Sequence, residues 1–308
     1  MLPRDQGSGR LYRMSTLSEA ALRDVNARIA GAYDAVPCDP AVSPGLDPGE
    51  ICKLAARSGA VLDSATADIL DLGCGTGVYM ERVAGLTSGR VVGTDLSRAS
   101  CDKTVERTGK YGERCKVICA DFLDLDPNAL GKFDLIYIVG VLYVTPPDVQ
   151  RRILALVADC LKPSGLALIS YYSGAMPLIM AGLHDMLRGT ADPAAKPAAQ
   201  IETARGQIRA MADTLARQPG DNRGLSAILQ QVHNTPDATF FHEMLNQNFC
   251  ALSTAALEAA LAPHGVHFVN WMQPAPFPAT MSAKERAVAA DALALNGGGY
   301  FYGVFQKD

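Results

Sequence analysis

The stretch Ile69-Leu70-Asp71-Leu72-Gly73-Cys74-Gly75-Thr76-Gly77 constrains the fold more than any other part of the chain. An apolar run that ends in an acid and passes into a Gly-x-Gly-x-Gly turn predicts a buried strand, a tight loop and a helix beginning near Val78. Glycines at alternate positions remove Cβ atoms that would hold a flat ligand off the backbone. The helix N-terminus that follows offers unpaired N–H groups. In an open α/β sheet, ligands bind in the crevice beyond the strand C-termini. The stretch is therefore expected to hold a cofactor, without choosing by itself among nicotinamide, flavin and S-adenosylmethionine (SAM) chemistry.

Downstream, strand and helix signals alternate. Strands are expected over 69–72, 90–94, 115–119, 133–139 and 166–172, and helices over 78–86, 98–108 and 147–161. This alternation predicts a parallel sheet with helices on both faces. The runs Leu135-Ile136-Tyr137-Ile138-Val139 and Leu166-Ala167-Leu168-Ile169 suit strands buried on both sides. Upstream, helical spacing of Leu17, Ala21, Leu22, Val25 and Ile29 predicts a first helix from near Ser15 to Gly31, capped by Ser15 or Ser18. A Pro/Gly-rich loop and a second helix over 50–58 come next.

With 308 residues and 48% hydrophobic content the chain can bury a large core. A net charge of −4 lowers the expectation of a nucleic-acid or anionic-membrane partner. No apolar run reaches membrane-spanning length, and residues 1–13 lack a signal-peptide core, so a cytoplasmic location is expected. The eight cysteines form no C-x-x-C pair and read as reduced thiols, and no metal site is expected.

Two further acids narrow the cofactor. Val91-Val92-Gly93-Thr94-Asp95-Leu96 ends in an acid that can accept both hydroxyls of an adenosine ribose, whether the cofactor is NAD or SAM. Ala120-Asp121-Phe122 sets another acid beside an aromatic ring, suited to accepting an adenine amino group and covering the base.

With these in place the chain resembles class I SAM-dependent methyltransferases. The resemblance rests on Asp71 to Gly77, Gly93-Thr94-Asp95-Leu96-Ser97, Ala120-Asp121-Phe122, Phe133-Asp134-Leu135-Ile136 and Leu161-Lys162-Pro163-Ser164-Gly165-Leu166. It implies a Rossmann-like, doubly wound α/β sheet of seven strands with an antiparallel last strand. Val266 to Trp271 fits the sixth strand and Tyr300 to Phe305 the seventh. It also implies that Tyr33, Asp71, Gly73, Cys74, Gly75 and Gly77 lie about the methionine part of SAM, Asp95 at the ribose, and Asp121 and Phe122 at the adenine. Leu96 and Val139 complete the expected cofactor set.

A narrower resemblance involves Ala32-Tyr33-Asp34-Ala35-Val36-Pro37, Gly140-Val141-Leu142-Tyr143-Val144-Thr145-Pro146, Ile169-Ser170-Tyr171-Tyr172 and Phe240-Phe241-His242-Glu243-Met244-Leu245. These segments look like a bacterial methyltransferase group with a helical regulatory-type domain, which includes rickettsial-type protein lysine methyltransferases. Members usually carry tryptophan where this chain has Tyr143 and asparagine where it has Tyr172.

Four parts are expected: N-terminal helices and a cofactor-covering segment (1–60), a SAM-binding core (61–172), an all-helical insertion between strands five and six (173–265), and the last two strands with a helix (266–308). Ninety residues between two core strands call for a subdomain, placed here as a lid or acceptor pocket. Six Lys/Arg against eight Asp/Glu give it no basic stripe.

Tyr143 and Tyr172 are expected along the methyl-transfer channel, where aromatic walls can orient an amine beside the sulfonium, and His242 is the candidate base. Consecutive helix residues do not face each other, so Glu243 is not expected to orient His242. The expected reaction converts SAM to S-adenosylhomocysteine (SAH) and methylates a peptide, protein or small-molecule acceptor. An inactive SAM-binding partner subunit and an NAD-linked oxidoreductase are the competing readings.

Overall fold

A computed structural model describes residues 17–39, 43–57, 59–220, 222–246, 248–250, 252–295 and 299–308. The proposed Ser15 cap and the end of the second helix at Ser58 lie outside them. The strands are β1 (Ile69–Leu72), β2 (Val91–Asp95), β3 (Cys115–Cys119), β4 (Phe133–Ile138), β5 (Leu161–Tyr172), β6 (Val266–Trp271) and β7 (Tyr300–Lys307). They form one sheet in the order β3-β2-β1-β4-β5-β7-β6, with β7 antiparallel to both neighbours. An all-parallel dinucleotide sheet lacks this inserted antiparallel strand.

The helices are α1 (Glu19–Ala35), α2 (Pro48–Ala56), α3 (Val78–Ala84), α4 (Arg98–Thr108), α5 (Pro127–Leu130), α6 (Pro147–Cys160), α7 (Met176–Thr190), α8 (Pro197–Arg217), α9 (Arg223–His233), α10 (Asp237–Met244), α11 (Thr254–Leu261) and α12 (Ala283–Ala294). Strand side chains alternate between the two faces of the sheet. Leu70, Leu72, Ile136, Ile138, Ala167 and Ile169 enter one core layer with α6, α11 and α12. Their neighbours Ile69, Leu135, Tyr137, Leu166 and Leu168 enter the other with α2 and α3. A third apolar cluster joins α7, α8, α9 and α10.

Two elements differ from the reading of the sequence. α1 continues past Gly31 to Ala35, so Tyr33 and Asp34 occupy its last turn instead of a loop. A mid-helix glycine costs about 1 kcal/mol. Here tertiary contacts hold the turn: Asp34 Oδ1 accepts hydrogen bonds from the Ser97 hydroxyl (2.6 Å) and the Ala99 N–H (3.1 Å) at the start of α4. α11, counted by sequence with the helical insertion, packs its Leu257 and Leu261 into the sheet core. Asp291 of α12 accepts the Thr254 and Ala255 N–H groups at its N-terminus.

Candidate active site

The parallel register brings the ends of β1, β2 and β3 to one edge, with Asp71 beside Gly93 and Asp95 beside Cys119. A cavity of about 610 Å³ opens there between α1, the strand ends and α10. Among the described residues five carboxyls line it (Asp39, Asp71, Asp95, Asp121 and Glu243), with neither a lysine nor an arginine.

The glycines of the loop serve different purposes. Gly73, Gly75 and Gly77 all have positive φ, a region glycine enters at little cost. A Cβ on Gly73 would stand 2.3 Å from Val141 Cγ2, and one on Gly77 would stand 2.8 Å from Thr104 Cα. At Gly75 a Cβ would meet nothing within 4 Å, so the backbone there is open on its cavity side. Gly73 and Gly75 both line the cavity and Gly77 does not, and the missing Cβ atoms of Gly73 and Gly77 also permit close packing of the loop on Val141 and Thr104.

Asp95 Oδ2 accepts the Gly75 N–H (2.9 Å) and Oδ1 the Ser97 N–H (2.8 Å), tying the loop to the end of β2. Burial pushes its carboxyl up against the pull of these bonds. The carboxylate, with about four lone-pair sites, still has room to accept a ribose hydroxyl. Asp71 is 4% exposed, and among the described residues no donor reaches its carboxylate. Burial, followed by the charge of Asp95, raises it to about 7. A buried acid without a donor, facing a cavity beside an open glycine, fits the ammonium end of an amino-acid moiety.

At the other end Asp121 accepts the Asn26 amide N–H at 2.8 Å and the Leu123 N–H at 2.9 Å, and Phe122 is buried beside it. Cys74, Leu96 and Val139 also line the cavity, whereas Gly77 does not. Over the loop, Asp39 accepts the Thr76 hydroxyl and pairs with Arg107 at 2.8 Å.

The wall opposite the loop comes from Tyr33, Tyr143, Tyr300, Tyr302 and α10. Tyr33 stacks on His242 with centroids 3.7 Å apart. His242 Nε2 lies 2.6 Å from the Val36 carbonyl; a carbonyl can only accept, so Nε2 carries the proton. His242 Nδ1 is buried with no hydrogen-bond partner among the described residues, and burial holds the imidazolium form down. The geometry thus gives His242 a docking contact between α10 and the end of α1.

The Tyr143 hydroxyl donates to Glu243 Oε1 at 3.1 Å and the Tyr172 hydroxyl to the same oxygen at 3.4 Å. Burial pushes Glu243 up, opposed by these two bonds. Tyr143 and Tyr172 meet edge to face at 5.0 Å. Tyr172 does not line the cavity. Its expected place in the channel wall is corrected: it stands behind Tyr143 and Tyr300 and buttresses both.

Sequence reading gave no site role to Asn26, Glu243, Tyr300 or Tyr302. The period-2 pair Tyr300/Tyr302 on a strand already placed both rings on one face, and Glu243 stood inside a motif already singled out. Among the described residues no cluster of three or more His, Cys, Asp or Glu could hold a metal ion, and no helix is long and apolar enough to cross a membrane.

Known proteins resemble the chain in sequence and in fold. Residues 69–165 match the family model described as a methyltransferase domain. An uncharacterised protein of Rickettsia prowazekii is 37% identical over 110 residues, 34% of this chain and 43% of that protein. An uncharacterised Synechococcus protein is 28% identical over 216 residues, 67% of this chain and 44% of that one. The chain therefore spans less than half the length of either relative. The structure of PKMT2 from Rickettsia typhi, also solved with AdoHcy, superposes with a TM-score of 0.74 at 17% identity, over 88% of this chain and 54% of that one.

Proposed function

Residues 69–165 are a SAM-dependent methyltransferase domain of class I fold, and from that premise we propose that the chain methylates an acceptor enclosed between this domain and the helices of residues 173–265. The observation that carries the reading is the single cavity running from Asn26 and Asp121 at one end to Tyr143, Tyr300 and Glu243 at the other. One end suits adenine, the middle the ribose and amino-acid groups, and the aromatic end an acceptor.

SAM supplies an electrophilic methyl on a sulfonium that passes in line to the acceptor, the S–CH₃ bonding pair returning to sulfur. The protein's part is to align the acceptor and exclude water. Asp71 and the open face of Gly75 would hold the methionine end, Asp95 the ribose, and Asp121 with Asn26 the adenine. α10 and the tyrosines would act as the lid and the acceptor wall. Tyr143 would touch the acceptor, Tyr172 would position Tyr143, and His242 would keep α10 closed on α1. The acceptor is a peptide, a protein or a specialised metabolite.

The test is transfer of labelled methyl from SAM into peptide and small-molecule pools. Label should enter an acceptor with wild-type protein and fall to background with Asp95→Ala. Firm SAH binding without transfer to any pool would favour a SAM-binding partner subunit instead.

A further inference from the structure

We propose that Glu243 selects the methyl acceptor by its charge, admitting an amine as its ammonium, which gives up a proton to water before its nitrogen lone pair takes the methyl, and turning away carboxylates; this rests on the methyltransferase reading above. Both phenol bonds, from Tyr143 and Tyr172, fall on Oε1. Among the described residues no donor reaches Oε2, although Glu243 belongs to the cavity wall. Among the described residues no lysine or arginine side chain lines the cavity to neutralise the carboxylate. A carboxylate partly withdrawn from water and lacking a cationic partner gains most from a ligand that brings the cation.

The surroundings favour the same ligand. Tyr143 and Tyr300 stand edge to face at 5.7 Å in the wall beside Glu243, so a cation there meets electron-rich ring faces as well as the carboxylate. The Tyr300 hydroxyl is directed away, donating to Ser170 Oγ at 2.7 Å, and that oxygen also accepts the Gly140 N–H at 2.8 Å. This strand-borne bond fixes the ring as a wall. An anionic acceptor would face Glu243 and four further carboxyls around the cavity, of which, among the described residues, Asp39 alone is paired to an arginine.

A purely structural Glu243 would act only as the shared acceptor that keeps Tyr143 and Tyr172 in place. Glu243→Gln separates the two roles, because its amide oxygen can still accept both phenols while the charge is gone.

The experiment is saturation-transfer NMR on the SAH-loaded protein with n-butylammonium, n-butanol and n-butyrate as probes of equal length. Wild-type protein should prefer n-butylammonium over n-butanol by about tenfold and show no n-butyrate signal, and Glu243→Gln should erase that preference while leaving SAH affinity unchanged. Equal binding of n-butylammonium and n-butanol, or a preference that survives in Glu243→Gln, would overturn the proposal and leave the methyltransferase reading intact. Failure of wild-type protein to bind SAH would overturn both.

Discussion

Asp71 combines deep burial, no hydrogen-bond donor among the described residues and a second acid nearby in Asp95. Its folded pKa of about 7 lies above the unfolded carboxyl value. For the free protein the sign follows directly: the ionised form is disfavoured by folding, so this group's contribution to stability is greatest below the unfolded pKa and is lost as pH rises towards about 7. A bound amino-acid ammonium reverses the balance, favouring the carboxylate and expelling the proton. SAH affinity should therefore increase with pH up to about 7 and level off above it for as long as the ligand's own amino group stays protonated. Calorimetry in buffers of different ionisation enthalpy should find proton release on binding below about 7, and none in Asp71→Asn. Proton uptake, or release that persists in the variant, would contradict the placing of Asp71 at the ammonium.

Among the elements, α10 carries two neighbouring residues with separate tasks. The rule that consecutive helix residues point apart holds here. His242 turns to Val36 and Tyr33, while Glu243 turns to Tyr143 and Tyr172. His242→Ala would remove the bond to Val36 and the stack on Tyr33, at a cost of roughly 2–3 kcal/mol by comparison with other buried contacts. The expected result in hydrogen exchange is loss of protection in α10 and in the last turn of α1, with β1 to β5 unchanged. Undiminished protection at both sites would show that α10 is held by its apolar packing alone. α1 also reaches the cofactor end, through Asn26 to Asp121 and through an Arg23–Asp124 pair at 2.9 Å. That pair is largely exposed and adds little to stability.

For the molecule as a whole, the sheet and the cofactor end were legible in the sequence because their signals are local. Strand alternation, the Gly-x-Gly-x-Gly turn and an acid at each strand end are read within a few residues. The acceptor end was far less so, being assembled from distant segments. Tyr143 and Glu243 are 100 residues apart in sequence, and Tyr300 reaches the site because the β5–β7 register sets it opposite Tyr172. The length of α1 was also hidden, since Gly31 reads as a stop until the contacts of Tyr33 and Asp34 are known. What joins the two ends is the cavity, and the proposed function requires SAM to occupy it with its ribose on Asp95. Titration of SAH into wild-type and Asp95→Ala protein tests this most directly. The wild type should show saturable one-site binding and the variant an affinity reduced by about tenfold or more, as expected for losing a buried charge-assisted contact. Wild-type protein that gives no binding heat, or two proteins of equal affinity, would contradict it.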